Sequence, residues 1–68
     1  MQNRVRAMRE EMGLTQAQLG ELTGVSRQAI NAIETGKYDP SIWLAYALSK
    51  VFKHPIEHIF LFEEGGKK

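Results

Sequence analysis

The stretch TQAQLGELTGVSRQAINAIETGKYDPS, residues 15–41, decides the fold because it places two short helical segments on either side of Gly24. Val25 and Ser26 follow this glycine at once. A glycine readily takes the left-handed conformation that ends a helix, and a serine is a good N-cap for the next helix. Two helices joined by so short a turn must cross steeply, which is the arrangement of a helix-turn-helix unit.

The ends of these two helices carry their own signals. Thr15 is an N-cap residue, and Gln18 three residues later completes the pattern of a capping box. Ser26 caps the second helix, and Gly36 follows its last residues. Helices of about eight residues are too short to be stable alone, so both must be packed against the rest of the chain.

The interior of the helix pair is predicted from apolar residues at helical spacing. These are Leu19 and Leu22 of the first helix, Val25 of the turn, and Ile30 and Ile33 of the second helix. Gly20 lies where the second helix should cross the first, and its missing side chain permits a close approach. An ordinary helical hairpin shows some of these features, but their combination favours the helix-turn-helix unit.

Three further helices are predicted outside this stretch, at about residues 3–12, at about residues 42–52 and, as a short helix, from Pro55. Asn3 and Ser41 are N-cap residues for the first two. Leu61 and Phe62 are expected to follow as a short C-terminal strand. The inward-facing residues of these helices are predicted to be Val5, Met8, Met12, Leu44, Ala45, Leu48, Val51, Phe52, Ile56, Ile59 and Phe60. The prediction is therefore an all-α fold of five short helices.

Length and composition predict one small domain, residues 1–68, with residues 63–68 as a frayed tail. The chain has no cysteine, which excludes disulfide and thiolate-zinc staples. No apolar run approaches the roughly 18 residues of a membrane span, and no signal-peptide pattern opens the chain, so we expect a cytoplasmic location. The net charge of +1 does not by itself indicate nucleic-acid binding.

Residues 54–58 match the pattern H-x-x-E-H of some zinc peptidases, but the chemistry does not fit. Such ligands need both histidines on one helix face and a third ligand, whereas Pro55 places His54 at or before the helix start. No combination of serine, histidine and aspartate indicates nucleophilic catalysis. We therefore expect no metal, no cofactor and no catalytic residue.

From Arg4 to Phe60 the chain resembles the lambda-repressor-like, Cro/repressor-type (XRE) family of helix-turn-helix proteins. The resemblance implies a sequence-specific regulator of transcription that binds double-stranded DNA and is not an enzyme. It further implies a repressor that binds a two-fold operator as a dimer, with the third helix in the major groove. The residues that carry it are Thr15, Gln16, Gly24, Val25, Ser26, Ile30, Ile33, Glu34, Gly36, Pro40 and Ser41. One alternative from another class stays open, a protein-interaction module such as an antitoxin or adaptor with DNA binding secondary.

The base-reading residues are expected on the face of the third helix that Ile30 and Ile33 do not use. Arginine can donate two hydrogen bonds to guanine O6 and N7, and glutamine or asparagine can pair with adenine N6 and N7. By resemblance, Arg27 and Gln28 match the main base-reading positions of the family and Asn31 an auxiliary one. Ala32 is expected only to touch a thymine methyl group.

Phosphate contacts are expected around the second and third helices. At the start of the second helix the Gln16 amide and the free backbone N–H groups can hold a phosphate. By resemblance, Gln16 also braces the third helix. Lys37 is the strongest of the other candidates because charge supplies affinity without sequence information. The full set of candidates is Gln16, Ser26, Thr35, Lys37 and Tyr38, and loop packing is an equal alternative for Tyr38.

Two further groups of residues are expected to have structural roles. By resemblance, Arg9 and Glu34 form an ion pair beneath the DNA face that fixes the position of the third helix. The chain also carries more apolar surface than so small a core needs, which favours a homodimer interface. The interface is predicted to contain Trp43, Ile59, Phe60, Leu61 and Phe62, with intramolecular packing as the alternative.

Overall fold

The computed structural model describes residues 1–62, which contain five helices and so confirm the all-α fold. The predicted tail at residues 63–68 lies outside the described residues. Within 1–62, no helix is long and apolar enough to cross a membrane. The helices are α1 (Val5–Glu11), α2 (Gln16–Thr23), α3 (Arg27–Glu34), α4 (Ile42–Phe52) and α5 (Ile56–Ile59).

Side-chain caps begin the three central helices where the sequence predicts them. The hydroxyl oxygens of Thr15, Ser26 and Ser41 each accept a hydrogen bond from the backbone N–H three residues later, at 3.0, 3.1 and 3.1 Å. The Gln18 side-chain oxygen accepts from the Thr15 N–H at 2.8 Å, which completes the capping box. These bonds satisfy backbone donors that a helix start leaves without partners.

The two terminal helices begin later than predicted. Helix α1 starts at Val5 rather than near Asn3, because Asn3 lies in an antiparallel bridge with Phe60. The Asn3 side chain still accepts a hydrogen bond from the Val5 N–H, at 3.0 Å. Helix α5 starts at Ile56, because Pro55 is the N-cap residue in an extended conformation and not the first helical residue.

The core lies between the helices and includes most of the predicted apolar residues. Two inward predictions are wrong, since Leu22 and Met12 are both exposed. Leu22 lies about 200° around α2 from Gly20, and Gly20 faces the turn between α2 and α3. Met12 follows the last residue of α1. The buried core residues are Val5, Leu19, Ile30, Ile33, Leu44, Ala45, Leu48, Phe52, Ile59 and Phe60.

The end of α5 is joined to the segment before α1. The Arg4 N–H donates to the Ile59 carbonyl at 2.7 Å, and the Leu61 N–H donates to the Gln2 carbonyl at 2.9 Å. The strand predicted at Leu61 and Phe62 is therefore an isolated bridge centred on Phe60, and it pairs with the chain's own first residues.

Candidate nucleic-acid interface

The turn between α2 and α3 is held by backbone contacts around two glycines. Gly24 ends α2 in the left-handed region, with φ 80° and ψ 23°, which a side chain disfavours. The Val25 N–H donates to the Gly20 carbonyl at 2.9 Å. A β-carbon on Gly20 would lie 2.6 Å from the Val25 carbonyl oxygen. The close approach that the sequence predicts at Gly20 is therefore made by the turn before α3, and it fixes where α3 begins.

Helix α3 places its polar residues away from the core. Its two isoleucines are buried, whereas Arg27, Gln28 and Asn31 are exposed and Ala32 is partly buried. Neither the Arg27 nor the Gln28 side chain has a hydrogen-bond or ion-pair partner among residues 1–62. The first turn of α3 thus presents two long polar side chains that are free to meet a ligand.

An ion pair joins the other end of α3 to α1. Arg9 Nε lies 2.6 Å from Glu34 Oε2, and Arg9 Nη2 lies 3.3 Å from Glu34 Oε1. Arg9 Nη1 also donates to the Leu14 carbonyl at 2.7 Å. The hydrogen bond with Glu34 raises the pKa of the Arg9 guanidinium above its ordinary value, although partial burial acts against it. Arg9 and Glu34 therefore form the predicted pair, and it holds α3 against α1.

Gln16 connects α2 to this pair and to α3. Its Nε2 donates to Glu34 Oε1 at 3.0 Å and to Asn31 Oδ1 at 3.2 Å. Both amide hydrogens are thereby used inside the protein. For Gln16 to donate to a phosphate, as predicted, one of these bonds must break, while the backbone N–H groups at the start of α2 remain available. No local sequence signal indicates which residue of α3 Gln16 contacts, because fourteen residues separate Gln16 from Asn31 along the chain.

The other predicted phosphate contacts differ in how available they are. Lys37 and Tyr38 are exposed in the loop after α3. The Ser26 oxygen caps α3 but keeps its own hydrogen to donate. The Thr35 hydroxyl donates to the Asn31 carbonyl at 2.9 Å, so it must rotate before it can donate to a phosphate. Lys37 is thus the residue best suited to a backbone contact.

A cleft on the α5 side of the molecule holds the histidines. His54, Glu57 and His58 line it together with Arg4 and Met8. The ring centroids of the two histidines are 6.1 Å apart. No group of three or more potential metal ligands occurs among the residues that the structure describes.

The residues predicted for a dimer interface fall into two groups. Trp43 is 77% exposed, and Leu61 and Phe62 are also exposed. Ile59 and Phe60 are only 0% and 1% exposed, because they fill the core between α5 and the first residues of the chain. Their assignment to an interface is corrected, since buried side chains offer no surface to a partner.

Comparison with known proteins agrees with this geometry. The model of the family described as HTH_3, helix-turn-helix, matches residues 5–59. The chain belongs to this helix-turn-helix family. It is a DNA-binding regulator of transcription of the XRE type and not an enzyme, as the sequence predicts.

Relatives of similar length occur in archaea and bacteria. An uncharacterised HTH-type transcriptional regulator of Methanothermobacter thermautotrophicus is 44% identical over 69 residues and covers 100% of both chains. Another, from Methanocaldococcus jannaschii, is 48% identical over 64 residues, which are 94% of this chain and 97% of the relative. The Bacillus subtilis regulator YgzD is 44% identical, with the same two coverages.

A solved structure has the same fold. The P22 c2 repressor, determined in complex with a synthetic operator, superposes with a TM-score of 0.82 and 32% identity, covering 88% of this chain and 91% of that one. The lambda-repressor-like arrangement of the five helices is thereby confirmed.

Proposed function

We propose that this protein is a repressor that binds a two-fold operator as a dimer and inserts α3 of each subunit into the major groove. The observation that carries the proposal is the pair Arg27 and Gln28, which are exposed and free of partners within residues 1–62. The opposite end of α3 is fixed by the Arg9–Glu34 ion pair. A recognition helix needs both properties, a rigid position and free side chains at its start.

The side chains of this face suit the edges of base pairs. Arg27 can fork onto guanine O6 and N7, and Gln28 can pair with adenine N6 and N7. Ala32 is the right size to touch a thymine methyl group. The P22 c2 repressor, which shares the fold, binds an operator, and this likeness supports the same use of α3 here.

Contacts to the DNA backbone would position the domain on the duplex without reading sequence. Lys37 lies just after α3, so a phosphate on the flank of the groove is its natural partner. The hydroxyl group of Ser26 and the backbone N–H groups at the start of α2 can donate to a second phosphate. Thr35 and Tyr38 are secondary candidates, since the Thr35 hydroxyl already has an acceptor in α3.

A dimer of this protein would have the same two-fold symmetry as the proposed operator. Two copies of α3 about 34 Å apart reach successive major grooves on one side of the duplex. Leu61 and Phe62 are the exposed apolar residues proposed to meet the second copy, and Trp43 on α4 is the alternative surface. Repression then follows because the bound dimer occupies promoter DNA that polymerase also needs.

A selection from random duplexes with the purified protein tests this proposal. The expected result is an enriched palindrome whose half-sites are centred about 10 base pairs apart, and a reporter placed behind it should lose expression. Failure to enrich any duplex contradicts the DNA-binding role, and raised reporter expression contradicts repression.

The second candidate, a protein-interaction module, is favoured by one observation. Ile42 and Trp43 are adjacent on α4 and each is 77% exposed. If the selection enriches nothing while Trp43→Ala abolishes a pull-down of a specific protein, this candidate replaces the first.

A further inference from the structure

We infer that Gln16 fixes the orientation of the Asn31 side-chain amide, with its oxygen toward Gln16 and its NH2 group outward. Asn31 then donates hydrogen bonds to guanine and does not read adenine. This inference rests on the proposed function, because it assigns a base preference within the same interface. It concerns a positioning residue, Gln16, and the residue that it orients.

The orientation is set by the Arg9–Glu34 ion pair, in which the carboxylate can accept hydrogen bonds but cannot donate them. The Glu34 carboxylate is an acceptor only, and Arg9 holds it in place at 2.6 Å. Gln16 can therefore face Glu34 only with its Nε2 group, 3.0 Å from Glu34 Oε1. This assignment does not depend on telling nitrogen from oxygen in the amide, because the reversed amide would set two acceptors against each other.

The same nitrogen, Gln16 Nε2, also orients the Asn31 side chain on α3. The remaining hydrogen of Gln16 Nε2 points at Asn31, where only the oxygen Oδ1 can accept it, at 3.2 Å. Asn31 must then turn its Nδ2 group away from Gln16. No acceptor for Nδ2 occurs among residues 1–62, and Asn31 is exposed. Two free N–H donors thus face outward from the middle of the recognition helix.

The base that matches two donors is guanine. Its major-groove edge carries the two acceptors N7 and O6, whereas adenine offers a donor, N6, beside its acceptor N7, and thymine offers a single acceptor, O4. Reading adenine requires the Asn31 oxygen to accept from N6, and that oxygen already accepts from Gln16. Gln28 has no such partner in the described chain, so its amide remains free to turn and it serves as the control.

A variant that exchanges the residues at positions 16 and 34 should reverse the orientation of the Asn31 amide with no change in the formal charge of the protein. In Gln16→Glu combined with Glu34→Gln, the carboxylate lies on α2 and accepts from Asn31, which turns the Asn31 oxygen outward. Random-duplex selection is run with wild type, Asn31→Ala, Gln28→Ala and the exchange variant, with circular dichroism as the check on folding. Asn31→Asp is the second variant if the exchange variant does not fold, because it removes both donors without changing the shape of the side chain.

The expected outcome is specific to one base pair in each half-site. Wild type should prefer guanine there, and Asn31→Ala should lose that preference by about fivefold or more. The exchange variant and Asn31→Asp should prefer adenine or cytosine at the same base pair, because these bases present donors. Gln28→Ala should affect a different base pair. The inference is overturned if Asn31→Ala removes a preference for adenine, or if both polarity variants keep guanine.

A measurement without DNA separates this inference from the proposed function. In the NMR spectrum of the free protein, the side-chain amide hydrogens of Gln16 should exchange with water more slowly than those of Gln28. Asn31→Ala should reduce that difference. Equal exchange rates in wild type overturn the orientation of Asn31 even where DNA binding is intact. Slow Gln16 exchange with no enriched duplex instead removes the proposed function, and the base preference with it.

Discussion

Gly20 and Val25 meet through their backbones alone, and a β-carbon at position 20 would lie 2.6 Å from the Val25 carbonyl oxygen. Real β-carbons essentially never approach another atom so closely. The obstructing atom belongs to the backbone of the turn, so it cannot move aside as the end of a flexible side chain could. The position of α3 therefore depends on the absence of a side chain in α2.

Replacing Gly20 with alanine should destabilise the protein although alanine favours helix. The gain in helix propensity is about 1 kcal/mol, whereas forcing a methyl group into a packed site costs about 1–3 kcal/mol and more against backbone. We expect Gly20→Ala to lower the free energy of unfolding by about 1–2 kcal/mol in urea titration. Glu21→Ala, on the exposed neighbour, should change it by less than about 0.5 kcal/mol. A variant as stable as wild type would contradict the close approach.

Local signals explain why the central helices could be predicted from the sequence. Thr15, Ser26 and Ser41 accept hydrogen bonds from residues three positions away, and Gly24 adopts its left-handed conformation at the end of the same helix. Each of these features depends on a few consecutive residues. The bounds of α4, Ile42–Phe52, agree with the prediction for the same reason.

Contacts between distant parts of the chain explain what could not be predicted. Phe60 pairs with Asn3, across almost the whole chain, and this bridge buries residues whose apolar character equally favours an exposed interface. Which residue of α3 is the partner of Gln16, Asn31, likewise depends on how α2 crosses α3. Periodicity alone also fails for Leu22, because the face of α2 that is buried is set by Gly20 and the turn.

The Arg9–Glu34 pair should contribute much more stability than a neighbouring exposed pair. The side chains of Arg9 and Glu34 are only 11% and 3% exposed, so Arg9→Met leaves a buried carboxylate without its cation. We expect a loss of about 2–4 kcal/mol in the free energy of unfolding. Arg6→Met on the same helix breaks a solvent-exposed pair with Glu10 and should cost about 0–1 kcal/mol. Equal losses in the two variants would contradict a structural role for the buried pair.

The contribution of Arg9 should not depend on pH near neutrality. Its pKa is raised in the folded protein, so the stabilisation is present below the unfolded pKa and is lost only as the pH rises through the folded value. Both values lie in strongly basic solution. The difference in unfolding free energy that arises from Arg9 ionisation should therefore stay constant between about pH 6 and pH 9.

Arg27 and Lys37 should affect DNA binding in different ways. Arg27→Ala removes a base contact, so it should relax discrimination at one or two base pairs by about 1–3 kcal/mol. Lys37→Ala removes a phosphate contact, so it should weaken binding to all duplexes alike and reduce the slope of log affinity against log salt by about 0.9.

Gel-shift titrations over a range of salt concentrations measure both effects. Lys50→Ala is the matched control for charge, because it removes the same positive charge from a residue outside the proposed DNA contacts. Lys50 lies in the last turn of α4 and contacts Tyr46. It should leave the salt slope unchanged. A uniform loss of affinity in Arg27→Ala, with discrimination intact, would remove Arg27 from the base-reading set.

The position of the dimer interface can be decided between two exposed apolar surfaces. Phe62 and Leu61 lie at the end of the described chain, where Leu61 pairs with Gln2, whereas Trp43 lies on α4 beside Ile42. Burying one aromatic side chain contributes about 1.5–3 kcal/mol, and in a two-fold interface each substitution occurs twice. Replacing a buried aromatic residue by a charged one should therefore weaken association by about 3–6 kcal/mol.

We expect Phe62→Glu to convert the dimer to a monomer in analytical ultracentrifugation at micromolar concentration. The hydrogen bond from Leu61 to Gln2 restrains the chain next to Phe62. A restrained surface loses less entropy on association, which favours Phe62 over Trp43. Trp43→Glu serves as the matched control and should leave the dimer intact. If Trp43→Glu alone gives monomer, the interface lies on α4. If wild type is itself a monomer at micromolar concentration, the result contradicts the proposed dimer.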